Sequence, residues 1–123
     1  MKKTVHRKKL AHVFSKFIRL GLYRNSLGPM DVCRRIWGSC GTESAARDVF
    51  ALWELWRIFK AEGREEELRL FALVYAPKGR VRGVDAEARI LEYARKNYCD
   101  PRTVYRRLAA TEKRYQQLRD SIE

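Results

Sequence analysis

Apolar residues recur every three or four positions along almost the whole chain, the period of an α-helix and not of a strand. Between Lys3 and about Arg24, Val5, Leu10, Val13, Phe14, Phe17, Ile18 and Leu20 keep this spacing. Arg7, Lys8, Lys16 and Arg19 fall on the opposite face, which predicts a basic amphipathic helix. Asn25-Ser26-Leu27-Gly28-Pro29 breaks it. Met30 to Trp37 predicts a short second helix with Val32, Cys33, Ile36 and Trp37 turned inward, followed by a break over Gly38-Ser39-Cys40-Gly41. Thr42 is the predicted N-cap of a third helix, and Glu43 in its first turn suits the helix dipole. Ala46, Val49, Phe50, Trp53, Trp56 and Phe59 form its apolar stripe to about Ala61, and Gly63 stands where a C-terminal glycine belongs.

Glu65, Glu66 and Glu67 open a fourth helix lined by Leu68, Phe71, Val74 and Tyr75, which stops before Pro77. Pro77-Lys78-Gly79-Arg80-Val81-Arg82-Gly83 reads as a basic loop. A fifth helix runs from about Asp85 to Asn97, with Ile90, Leu91 and Ala94 inward. Asp100 caps a sixth, whose first turn accepts Pro101 because an N–H there has no partner to lose. Val104, Leu108, Tyr115 and Leu118 hold that helix down to about Ser121. Strand alternation appears nowhere over more than four residues, and neither repeats nor low-complexity stretches occur. The expected fold is all-α: a helical N-terminal part over 1–76, a basic loop over 77–82, and a C-terminal helical region over 83–123. At 123 residues the chain can bury one modest core.

Charge changes the picture. Lys and Arg total 27 against 15 Asp and Glu, a net charge of +12. Residues 1–35 carry +9, residues 36–76 carry −2 and residues 77–123 carry +5. A near-neutral middle between two basic ends suits a chain whose ends meet a polyanion, nucleic acid first and an anionic membrane surface second. The longest apolar run, Phe71 to Ala76, is far too short to span a bilayer. His12, Lys16 and Arg19 interrupt the early apolar positions, so the start does not read as a secretory signal.

The chain lacks the nucleophile-elbow, phosphate-loop and zinc-protease motifs. Glu65–Glu67 are consecutive on a helix and point apart, so they do not converge as an acid/base pair. A non-enzymatic role without cofactors is the expectation. Cys33, Cys40 and Cys99 are odd in number and lack C-x-x-C spacing, which reads as free thiols in a reducing cytoplasm. His6 and His12 are six apart and do not share a helix face, so no metal is assigned. Trp37, Trp53, Trp56, Phe50 and Phe59 read as core. Their other reading is an exposed aromatic face for a partner such as RNA polymerase or a second copy of the chain, making a homodimer.

The most informative stretch is Leu91 to Leu108, LEYARKNYCDPRTVYRRL: helix, tight turn, capped helix. Ala94 is small where two helices must approach, Asp100 meets orphan N–H groups, and Val104 and Leu108 face inward one turn apart. With Ala94 in the first helix and Cys99-Asp100-Pro101-Arg102-Thr103-Val104-Tyr105-Arg106-Arg107-Leu108 after it, residues 83–123 resemble the helix-turn-helix of sigma-factor region 4 and the small phage and prophage transcriptional regulators built on it. The resemblance implies a DNA-binding region over 83–123 and double-stranded DNA as the partner. Two positions depart from the family pattern: Tyr98 stands in the turn in place of a small residue, and Asn97 before it in place of an apolar one.

Arg102, Tyr105 and Arg106 then point away from the core, where a helix laid in the major groove reads base edges, and arginine's planar fork suits guanine. Arg95, Lys96, Thr103, Arg107 and Lys113 are placed for phosphate contact, with Arg80 and Arg82 of the basic loop adding to it. The first helix is expected to dock on the core with its charged side facing phosphates; a membrane surface is its other reading. A basic protein-interaction module and an RNA-binding module remain alternatives to duplex recognition.

Overall fold

A computed structural model describes residues 2–24, 26–76 and 86–122, with side chains from Lys9 onward. The fold among these residues is all-helical: α1 (Lys2–Arg19), α2 (Pro29–Ser39), α3 (Glu43–Ala61), α4 (Glu65–Tyr75), α5 (Ala86–Lys96) and α6 (Pro101–Ser121). The Arg80 and Arg82 loop and Val5 of the first apolar stripe lie outside the described side chains.

α3 is the central rod. Ala46, Val49, Ala51, Leu52, Trp53, Leu55 and Phe59 are buried around most of its circumference, as expected of a helix covered on several sides. It packs against α1, α2, α4 and α6. Its ends are set locally: the Thr42 hydroxyl accepts from the Ala45 N–H at 3.1 Å, and Gly63 takes φ 72° just past the end. There the Arg64 and Gly63 N–H groups donate back to the Phe59 and Lys60 carbonyls, a left-handed turn that satisfies two orphan acceptors.

One buried cluster draws on all six helices, from Leu10, Phe14 and Phe17 of α1 to Leu108 and Tyr115 of α6. The described helices before and after the 77–85 stretch therefore share one core. Phe14 packs on Phe71 with ring centroids 5.3 Å apart, and Phe17 on Trp56 at 5.2 Å. This docks the first helix on α3 and α4 through its apolar side, as its periodicity predicts.

Leu91, expected inward on α5, is exposed, and only Ile90 and Ala94 of that helix are buried; α1 and α2 also depart from expectation. α1 ends at Arg19 and not near Arg24, because Gly21 at φ 67° turns the chain and the Arg35 guanidinium donates to the Leu20 carbonyl at 2.8 Å. Ile18, placed on the inner stripe, is exposed in the last turn of α1, ahead of that bend. Trp37, assigned to the inner side of α2, is 59% exposed. α2 contributes only Val32 and Ile36 to the core, and seven residues before Trp37 on the same outer face stands Met30, 71% exposed.

Candidate nucleic-acid interface

α5 and α6 are joined by four residues, Asn97 to Asp100. α5 closes with the same left-handed turn as α3: the Cys99 and Tyr98 N–H groups donate to the Ala94 and Arg95 carbonyls at 3.0 and 3.4 Å. Tyr98 occupies the left-handed position at φ 53°, and the Asn97 side chain donates to the Tyr93 carbonyl at 2.8 Å. The Asp100 carboxylate then accepts from the Arg102 N–H at 2.8 Å. That bond, aided by the Arg102 and Arg106 charges, holds the Asp100 carboxyl below the usual carboxylate range. Ala94 is buried in the same core cluster as Val104 and Leu108.

The α5–α6 pair is pinned to the rest of the molecule by polar clasps. Arg89 of α5 donates to the Val74 and Ala76 carbonyls at 3.0 Å each, closing the end of α4. Tyr75 donates its hydroxyl to Glu112. Arg107 grips Glu67 through Nε at 3.0 Å and Nη2 at 2.7 Å, and its guanidinium lies 5.8 Å from the Tyr93 ring centre. Further along α6, Tyr115 donates to the Asp48 carbonyl at 3.0 Å, and Arg119 pairs with the buried Asp48 carboxylate, which Lys9 of α1 approaches at 3.6 Å. Burial, with the Asp48 charge adding to it, pushes the Tyr115 hydroxyl pKa well up.

This scaffold leaves one face of α6 to solvent. Arg102 is 84% exposed, and among the described residues its ion pair is a loose 3.6 Å contact to Asp100. Arg106 and Lys113 are exposed on the same side, and Thr103 is exposed beside them. Arg95 and Lys96 are exposed at the end of α5, where Lys96 meets Glu92 at 3.3 Å. Tyr105 is half-buried and leans on the core, so it offers less of itself outward than Arg102 and Arg106.

Arg107 is the departure among the proposed phosphate contacts. Its fork is taken up by Glu67, which raises its pKa further still and makes it a clasp between α4 and α6. Two buried polar residues went unanticipated. Thr111 continues the 104–108–115 stripe at helical spacing, a readable signal, and its hydroxyl donates to the Arg107 carbonyl at 3.1 Å. Asp48 sits among apolar neighbours, and its partners Lys9 and Arg119 lie too far along the chain for spacing to reveal them.

On the α2 side, a cleft of about 220 Å³ lies between α2, α3 and Ile122, walled by Ile36, Trp37 and Phe50. No described helix is long and apolar enough to cross a membrane. Comparison with protein-family models, with curated proteins and with solved structures found no match.

Proposed function

We propose that the chain is a sequence-specific DNA-binding transcriptional regulator of phage or prophage type, acting in the cytoplasm, with α5 and α6 as its helix-turn-helix. The observation that carries this reading is the outward fork at the start of α6: Arg102 and Arg106 project to solvent from a helix turn whose inner side, Val104 and Leu108, is fully packed. A helix start of that kind fits the major groove, with Arg102 and Arg106 at base edges and Tyr105 beside them. Arg95, Lys96, Thr103 and Lys113 flank it where phosphates run. The regulatory and phage-type part of the reading rests on the resemblance of residues 83–123.

The test is binding to duplex DNA across a salt series. Counterion release predicts a log–log slope of about −0.9 per neutralised phosphate. Arg106→Ala weakens binding by about 1–3 kcal/mol and blurs preference at one base position. Lys113→Ala weakens all sequences alike and shallows the slope by about one. Salt-independent binding, or an Arg106→Ala variant with full affinity and selectivity, rejects the reading.

A second reading attaches to α2. Exposed Trp37 at the cleft between α2 and α3, with exposed Met30 on the same helix face, favours a protein contact there, with RNA polymerase or a second copy of the chain as the partner. Sedimentation of wild type beside Trp37→Ala tests the homodimer.

A further inference from the structure

Three helices end in the same left-handed turn. After α1 and α3 the residue at positive φ is Gly21 or Gly63; after α5 it is Tyr98. A β-carbon is crowded in that conformation, which is why glycine dominates it. The fold gains nothing visible in exchange, because the Tyr98 side chain packs on neither helix and is 97% exposed. An aromatic ring is thus held at an unfavourable backbone position, both faces in water, on a turn fixed by three hydrogen bonds. Strained, exposed positions of this kind mark contacts with something outside the chain.

The surroundings specify the class of that partner. Exposed Arg95 and Lys96 precede the ring, and exposed Arg102 and Arg106 follow it. The nearby acids are already engaged, Glu92 with Lys96 and Asp100 with the start of α6. Three trans peptide links limit the separation of the Tyr98 and Pro101 α-carbons to about 11 Å. An aromatic platform in a cationic field is the combination that stacks on nucleobases. We propose that Tyr98 is a base-stacking residue, taking an unpaired or unstacked base beside the duplex segment gripped by α6. This rests on the DNA-binding reading and adds to it a preference for distorted over continuous duplex.

The experiment measures binding of the full chain to two probes: a random-sequence duplex, and the same duplex carrying one unpaired 2-aminopurine bulge. Wild type binds the bulged probe more tightly and quenches its fluorescence. Tyr98→Gly loses roughly 5- to 150-fold on the bulged probe, the worth of one base–aromatic stack, with affinity for the continuous duplex little changed. Its Tm is equal to or above that of wild type, since glycine takes the left-handed turn freely. Tyr98→Phe keeps the preference and the quenching. A clear drop in Tm for Tyr98→Gly would make the ring part of the fold and overturn the proposal. So would a Tyr98→Gly variant that keeps the bulge preference. Wild type binding both probes equally removes the stacking role and leaves the DNA-binding reading standing; binding to neither removes both.

Discussion

Arg107 separates two accounts of the same residue. Spacing along α6 put it with the phosphate contacts, whereas its guanidinium makes two hydrogen bonds to Glu67 and lies over Tyr93. Charge-assisted bonds of this type contribute about 1.5–3 kcal/mol when their partners are shielded. The Arg107 and Glu67 side chains keep 31% and 20% of their exposure, so solvent screening puts the expected loss in Arg107→Ala near about 1–2 kcal/mol. With an unfolding entropy of about 2.1 cal/mol/K per residue, a chain of 123 residues has about 0.26 kcal/mol/K in all. Arg107→Ala should therefore lower Tm by roughly 4–8 °C. Glu67→Ala should cost a similar amount, and the double variant little more than either, because each single change removes the same clasp. Thermal melts of the four proteins give the coupling directly. The salt slope for duplex binding should stay as in wild type, since no phosphate contact is lost. An unchanged Tm together with a slope shallower by about one unit would reverse the assignment and make Arg107 a backbone contact.

Asp48→Ala strands Arg119 at a mostly buried site and should lower stability by about 2–4 kcal/mol, read from the urea midpoint. Tyr115→Phe removes one buried hydrogen bond and should cost about 1 kcal/mol by the same measurement. In an alkaline spectrophotometric titration the Tyr115 hydroxyl should resist ionisation until the fold opens, so Tyr115→Phe should show a smaller late rise than wild type. The Asp100 carboxyl is held below its unfolded value, so its contribution to stability is full above that value and fades as pH falls beneath it. Wild type should accordingly lose more Tm than Asp100→Asn between pH 6 and pH 3, while the two differ little in helix capping at neutral pH.

Helix ends proved readable where a residue type has a local job. Thr42, Gly63, Asp100 and Pro101 mark their boundaries because the backbone groups they satisfy, or the φ they adopt, belong to the same turn. The end of α1 was readable in the same way, at Gly21, but the apolar run through Leu22 masked it. Pro29 opens α2 where it reads as a breaker; the cue was Asp31, whose carboxylate accepts from the Gly28 N–H at 3.4 Å. Trp37 illustrates the opposite case. Periodicity says which residues share a face, and only packing says which face is covered: on α2 the core stops at Val32 and Ile36. In the candidate interface, the exposure of Arg102 and Arg106 followed from the burial of Val104 and Leu108 two positions away. The capture of Arg107 by Glu67, forty residues earlier, depends on how α4 and α6 meet and leaves no trace in local spacing.

The 21 residues of α6 form one uninterrupted rod about 31 Å long. Its near end carries Arg102, and its far end is bolted through Arg119 to Asp48 on α3. A torque applied at the near end cannot dissipate in a hinge, because none lies between; it is shared by the Arg107–Glu67 and Tyr75–Glu112 clasps to α4 and by the Asp48 anchor that α1 and α3 share. The shaft arrives at any surface already stiff and already aimed, so docking there requires no coil-to-helix ordering of the shaft.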